Sequence, residues 1–288
     1  MVDILFLAKG RKEFTEASLK ALILHTDLGF DPDKDHSLSI YTDGDTGPGN
    51  GAGVCFDYAL MTNAPIVRVD HMPGHGGPVA CLNAFLDRTN ATEPGIAGSF
   101  HRKTPSEFIA KIDNDLILCP GWLEACLNVM YRHPEVDLLG LEPWAPDSTL
   151  FPASCLPRKT EQMRPTSLHD CMDVEEWNGT RWQSKERGIR IVSHVGGIGL
   201  FRRSAFERFG KPTPNSTDGR YGFTEWQWQN PEMVKAFLDP PLPVFLLDHL
   251  PFQPWIGHSM RYEQMGVQRR QWGFYAEGHR ALWDWWKP

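Results

Sequence analysis

Residues 108–127, FIAKIDNDLILCPGWLEACL, limit the fold of this chain more than any other stretch. A short apolar run, Phe108 to Ile112, stops abruptly at Asp113-Asn114-Asp115. A second apolar patch, a Pro-Gly step and an amphipathic segment follow. Such a run, bounded by turn formers, reads as a buried strand, and the segment after it as a helix. Two carboxylates one residue apart at the end of a buried strand suit a divalent cation that holds a diphosphate. Mg²⁺ and Mn²⁺ prefer oxygen ligands, and Mg²⁺ commonly divides its shell between one or two carboxylates and substrate phosphates. Asp and Asn are also ordinary turn residues, so the rest of the chain has to decide.

The same strand–loop–helix unit recurs. Asp3 to Ala8 is a short apolar run suited to a first strand, and a helix is expected over about 15–25, with Leu19, Leu22 and Ile23 on one face. Ser37 to Thr42 reads as the second strand and ends in the turn-rich loop Asp43 to Gly49. Val54, Tyr58 and Met61 mark another helix, and Ala64 to Val69 a third strand. Val79, Leu82 and Leu86 mark the next helix, and Leu123, Cys126, Leu127 and Met130 the one after the acid motif. Val136 to Leu141 reads as a further strand. This alternation predicts an α/β fold with a mostly parallel sheet flanked by helices, whose ligands bind beyond the carboxyl ends of the strands.

From Glu142 to Arg190 the periodicity dissolves into a Pro-, Arg- and Trp-containing stretch. A span this long is a functional loop or an excursion that covers a site. Order returns over 193–210, SHVGGIGLFRRSAFERFG, where Gly196-Gly197 precedes a short apolar run and a helix. Tyr221 to Asn230 is aromatic with one acid, Glu225, and Pro243 to Leu247 reads as a final strand, followed by Asp248-His249. The expected organisation is a catalytic domain over 1–250, with 142–190 as a loop excursion on the acceptor side, and a helical aromatic segment over 251–288 packed on it.

Composition narrows the function. The chain has 288 residues, 41% hydrophobic and 23% charged, as expected of a globular protein with a core. Its formal charge of −7 argues against nonspecific binding to nucleic acid or an anionic membrane. Eleven Trp residues leave room for aromatic recognition surfaces, including for sugars. No run of about 18 apolar residues exists, so no membrane span is expected. The N-terminal MVDILFLAKGRKEF lacks a basic start and a small-residue cleavage site and reads as a strand. Its six cysteines show no CxxC pairing and read as reduced. A cytoplasmic protein is expected.

The order of these motifs resembles the family 2 glycosyltransferases of the GT-A fold over roughly residues 2–250. ILFLAKGRKEFTEASLKALILHT is similar to the family's opening nucleotide-binding unit, with Lys9-Gly10-Arg11 where the family commonly has Tyr-Asn-Arg. YTDGDTG resembles its Asp-Asp-Gly-Ser-Thr loop, retaining Asp43 of the paired acids. KIDNDLILCPGWLE resembles its metal motif, with Asp113 and Asp115 in the two metal-side positions. VGGIGLFRRSAFERFG resembles the acceptor-side segment, and Glu225-Trp226 stands where the family has a Glu-Asp pair containing its base. His249 falls where many members place a third metal ligand, and His258 is a rival for that role.

The resemblance implies a metal-dependent, inverting transfer of a sugar from a nucleotide-diphospho-sugar, a UDP-sugar by preference, to an acceptor hydroxyl. It puts the nucleotide beside Ala8, Arg11, Asp43, Asp113 and Asn114. It puts Mn²⁺ or Mg²⁺ on Asp113, Asp115 and His249, where the ion neutralises the leaving diphosphate. Glu225 becomes the general base. A nucleotidyltransferase with a related core is the alternative, but it would open with a Gly-rich basic loop, and Lys9-Gly10-Arg11-Lys12 has one glycine. A noncatalytic carbohydrate-binding protein on the same fold is the other, against which the retained Asp113, Asp115 and Glu225 count. The acceptor is left open among a glycan, a protein and a modified nucleic-acid base. Arg202, Arg203, Arg208, Arg261, Arg269 and Arg270 offer a basic track for the last of these.

Overall fold

Val2–Ala8 forms strand β1 and is buried along its whole length. A strand covered on both faces has to be apolar at successive positions, and VDILFLA meets that condition except at Asp3. The computed structural model describes residues 1–8, 12–29, 35–43, 66–72, 77–90, 105–118, 121–141, 187–214, 222–239, 242 and 244–246. The expected helix around Val54, the nucleotide-side Arg11, His249, His258 and the segment 251–288 lie outside these residues. So does the 142–190 excursion, apart from its last four positions.

In chain order the elements are β1, α1 (Lys12–Leu24), β2 (Ser37–Asp43), β3 (Ile66–Met72), α2 (Gly77–Asn90), β4 (Phe108–Asp113), β5 (Leu116–Ile117) and α3 (Trp122–Arg132). They continue with β6 (Leu138–Gly140), β7 (Gly188–Val192), β8 (Gly199–Arg202), α4 (Arg203–Phe209), α5 (Gly222–Gln229), β9 (Lys235–Asp239) and β10 (Phe245–Leu246). Eight strands form one sheet in the order β3-β2-β1-β4-β8-β6-β9-β7. The β3-β2-β1-β4 half is parallel throughout. The other half is mixed, because β8 runs antiparallel to both β4 and β6, and β7 antiparallel to β9. The parallel expectation therefore describes the half built from regular strand–helix units. The structure is a mixed α/β sheet flanked by helices.

Helices cover both faces. Phe6, Phe108, Ala110 and Ile112 pack with Leu19 and Leu22 of α1 and with Trp122, Cys126 and Met130 of α3. The alternate residues Leu5, Leu7 and Ile109 pack with Val79, Leu82, Phe85 and Leu86 of α2 and with residues of α4 and α5. Each such side chain contributes about 1.5–3 kcal/mol on burial. Burial also pushes the Cys126 thiol up to about 12, so this cysteine behaves as an apolar filler.

Two strands escape the apolar pattern. β7 begins at Gly188, inside the stretch read as irregular, and is an edge strand whose residues are exposed or half-buried. β9 has buried Lys235 and Ala236, and the Lys235 ammonium donates to the carbonyls of Gln227 and Asn230 at 3.1 Å each. That lysine closes the end of α5, which compensates its burial. At Gly199 φ is +154°, and a Cβ there would lie 2.2 Å from the Leu139 carbonyl oxygen. Only glycine lets β8 enter between β4 and β6 at that point. Among the described residues no helix is long and apolar enough to cross a membrane.

Candidate functional site

The strand order defines the site before any side chain does. β1 leads to β2 and β3 on one side, while β4 lies on its other side. The order reverses between β1 and β4, and crevices at such a switch point bind ligands beyond the carboxyl ends of the strands. Leu7 stands in register with Asp113, so β1 and β4 end together. Ala8 is the last residue of β1, but its side chain is 1% exposed and lies in the core. A ligand contact at Ala8 would have to use its backbone. Asp43 ends the neighbouring strand β2.

The acid loop is fastened by α1. Ser18 Oγ donates to the Leu116 carbonyl at 2.6 Å and approaches that of Asp113 at 3.2 Å, while the Leu116 amide lies 3.3 Å from the same oxygen. Asn114 Nδ2 donates to Thr15 Oγ1 at 2.7 Å. Thr15 and Ser18 are fully buried polar residues one helical turn apart, on the face that also carries Leu19 and Leu22. Asn114 is 7% exposed and points into the protein, which makes it a fastener of the loop in this structure. Asp113 and Asp115 on either side of it are half-buried. Immediately beyond, Leu116 pairs with Leu246 of β10, so the last strand meets the acid loop.

Among the described residues no group of three or more His, Cys, Asp or Glu side chains gathers as a metal cage. The described carboxylates that could share a cation at this edge are Asp113 and Asp115. That fits Mg²⁺ or Mn²⁺, which take one or two carboxylates and complete the shell with phosphate and water oxygens.

The segment 194–198 and helix α5 form a strip leading away from Asp113. Lys111 Nζ donates to Asp113 Oδ1 at 2.7 Å. A Cβ on Gly197 would sit 3.4 Å from that Nζ and 3.9 Å from the Phe223 ring, so the segment 194–198 runs between β4 and α5. Two residues earlier, the Val195 amide and carbonyl form a pair of 2.8 Å hydrogen bonds with the Gln227 side-chain amide. Earlier still, the His194 and Trp228 rings stand 6.2 Å apart. The strip thus passes from Asp113 through Lys111, Gly197 and Phe223 to Trp228. Gly196 faces open space, so of the glycine pair it is Gly197 that makes the close approach.

Helix α5 is seated by aromatic packing. The Phe206 and Trp226 rings stack at 5.2 Å, Phe223 lies 5.3 Å from Phe201 and 5.5 Å from Trp226, and Trp226 Nε1 donates to the Phe209 carbonyl. Phe223, Trp226 and Gln227 face inward. Glu225 in the first turn and Trp228 share the opposite face, three residues apart. Trp228 is 61% exposed. A carboxylate in the first helical turn is favoured by the helix dipole, and here it stands beside an open aromatic surface.

Lys111, Thr15, Ser18, Gly199 and Trp228 were not among the residues expected from the sequence. Lys111 leaves a signal, because it interrupts the apolar run FIAKID at a position facing the core. Thr15 and Ser18 leave one too, as polar residues on an apolar helical face.

No protein-family model matches the chain, and no curated protein matches it in sequence. Its fold is similar to solved structures of S. aureus TarS. A crystal structure of TarS 1–349 superposes with a TM-score of 0.50 at 12% identity, covering 85% of this chain and 60% of that one. A longer TarS crystal structure gives 0.51 at 13% identity, covering 85% and 36%. TarS 1–349 in complex with UDP gives 0.50 at 12%, covering 85% and 59%. The chain therefore spans from 36% to 60% of the length of these structures. At this identity the likeness shows the fold: the chain has a mixed α/β sheet flanked by helices, consistent with the GT-A fold.

Proposed function

We propose that the chain transfers a sugar from a nucleotide-diphospho-sugar, a UDP-sugar by preference, to an acceptor hydroxyl, with Mn²⁺ or Mg²⁺ and inversion of configuration. The observation that carries the reading is the position of Asp113-Asn114-Asp115. These residues end β4 beside the β1–β4 switch point, in a fold whose relative TarS has been solved with UDP bound.

In this reading Asp115, with Asp113, holds the divalent ion, and a third ligand from His249 follows β10 by three residues. When bound, the ion neutralises charge on the departing diphosphate. Ala8 contributes backbone, and Asp43 and Arg11 contribute side chains, to the nucleotide. Ser18 and Thr15 keep the acid loop from shifting as charge develops. Glu225 takes the proton of the acceptor hydroxyl on the far side of the sugar, a step worth about 10²–10⁴ in rate. Trp228 and His194, next to it, provide a stacking wall for the acceptor. The reaction takes place in the cytoplasm.

Incubation with a panel of nucleotide sugars, reading nucleotide release with and without EDTA, tests this. Release from at least one donor with Mn²⁺ and its loss in EDTA are expected. No release from any donor, or full turnover in excess EDTA, contradicts the proposal.

A further inference from the structure

Lys111 is a buried cation at the ligand-binding edge, and its surroundings do not account for it as a structural ion pair. Its side chain is 4% exposed, while that of its partner Asp113 is 34% exposed. Taking an ammonium out of water costs several kcal/mol, and a half-solvated carboxylate recovers less of that than an enclosed one. An ammonium has three N–H donors. Among the described residues, Asp113 Oδ1 is the one hydrogen-bond acceptor of Lys111. Gly197 lies against one flank of the ammonium, since a Cβ there would stand 3.4 Å from Nζ, and it offers no side-chain acceptor. An apolar residue in this place would extend the Leu5–Leu7–Ile109 surface beside it.

We propose that Lys111 is an anion-binding residue: its ammonium, held by Asp113 at the end of β4, takes up charge of a nucleotide diphosphate and sustains nucleotide binding without a metal ion. The inference rests on the reading of this edge as the diphosphate site. It adds that the site's positive charge is divided between an exchangeable ion, needed for turnover, and a covalently fixed ammonium that retains the nucleotide when the ion is absent.

Calorimetric titration with UDP, in Mn²⁺ and in EDTA, tests this on the wild-type chain, Lys111→Met and Lys111→Arg, with uridine as a ligand lacking phosphate. Met keeps the length without burying a charge, so the fold is expected to survive, and a thermal melt checks it. Wild type is expected to retain UDP affinity in EDTA within about tenfold of its value in Mn²⁺. Lys111→Met should lose a further 10- to 100-fold in EDTA, the scale of one hydrogen bond to a charged group. Lys111→Arg should stay within about threefold of wild type, and uridine binding should be equal in all three. If Lys111→Met does not fold, Lys111→Arg and the salt dependence of UDP binding carry the test: screening should weaken binding of UDP in EDTA but not of uridine. Equal UDP affinity of wild type and Lys111→Met in EDTA, or loss of wild-type binding on metal removal, overturns the proposal. Failure of the wild type to bind UDP even with Mn²⁺ instead overturns the reading of the site beneath it.

Discussion

The two ends of the central strands each set an aspartate beside a buried cation, and the two pairs are built for different ends. At the amino end, Asp3 and Arg203 are both almost fully enclosed, with side chains 4% and 6% exposed. Arg203 donates through Nη2 to Asp3 at 2.7 Å, through Nε to the Ser106 carbonyl at 2.6 Å, and through Nη1 to Thr89 at 3.0 Å and to Asn90. Asp3 also accepts from Ser37 Oγ and from the Ser106 amide. This network ties β1, β2, α2, α4 and the segment before β4 together. At the carboxyl end, Lys111 is enclosed but Asp113 is one-third exposed. A network whose members satisfy one another serves the fold, and a half-open one is arranged toward something from outside.

The contrast breaks if mutations at the two ends do the same thing. The largest effect is expected from Asp115→Ala, which should cut turnover by orders of magnitude while leaving the thermal midpoint near wild type. A variant with normal turnover removes the metal role of this acid. Next is Glu225→Gln, which keeps size and hydrogen bonding but cannot take a proton. Its kcat should fall about 10²–10⁴-fold at nearly unchanged donor affinity, and product NMR should show an inverted anomer. A near-normal kcat or a retained anomer rules Glu225 out as the base.

At the amino end the expectation reverses. Arg203→Ala strands the Asp3 carboxylate in the core and should cost about 3–5 kcal/mol in urea unfolding. Protein that remains folded should bind UDP as wild type does. A stable Arg203→Ala chain that has lost nucleotide binding would show that the two ends are not separate. The smallest effect is expected from Trp228→Ala. It should raise the acceptor KM about three- to tenfold, as the loss of one stacking contact would, with donor hydrolysis unchanged. An unchanged acceptor KM removes Trp228 from the acceptor wall.

The parallel half of the fold was legible in the sequence because its strands are covered on both faces. VDILFLA and FIAKID are nearly continuous apolar runs, and the amphipathic stretches that follow these two strands are helices that pack on the sheet. The helix through Val79, Leu82 and Leu86 has all three buried. β7 was hidden because an edge strand has no need of apolar residues, and β9 because its first buried residue is a lysine. The place of Asp113 at the end of β4 was legible because the apolar run stops there at turn-forming residues. Their fastening to α1 was not, since Thr15 and Ser18 are about a hundred residues away in sequence and only the fold brings them to Asn114 and Leu116. Lys111 was passed over because its meaning lies in burial, which the sequence does not display.

A crystal structure with UDP and Mn²⁺ tests the central claim most directly, through the anomalous signal of the ion. The account predicts a manganese peak bound to the Asp115 carboxylate at the end of β4, bridging to the diphosphate, with the uridine beside β1 and β2 and the Lys111 ammonium within hydrogen-bond distance of a phosphate oxygen. UDP bound elsewhere on the molecule, or a manganese peak away from both Asp113 and Asp115, would contradict it.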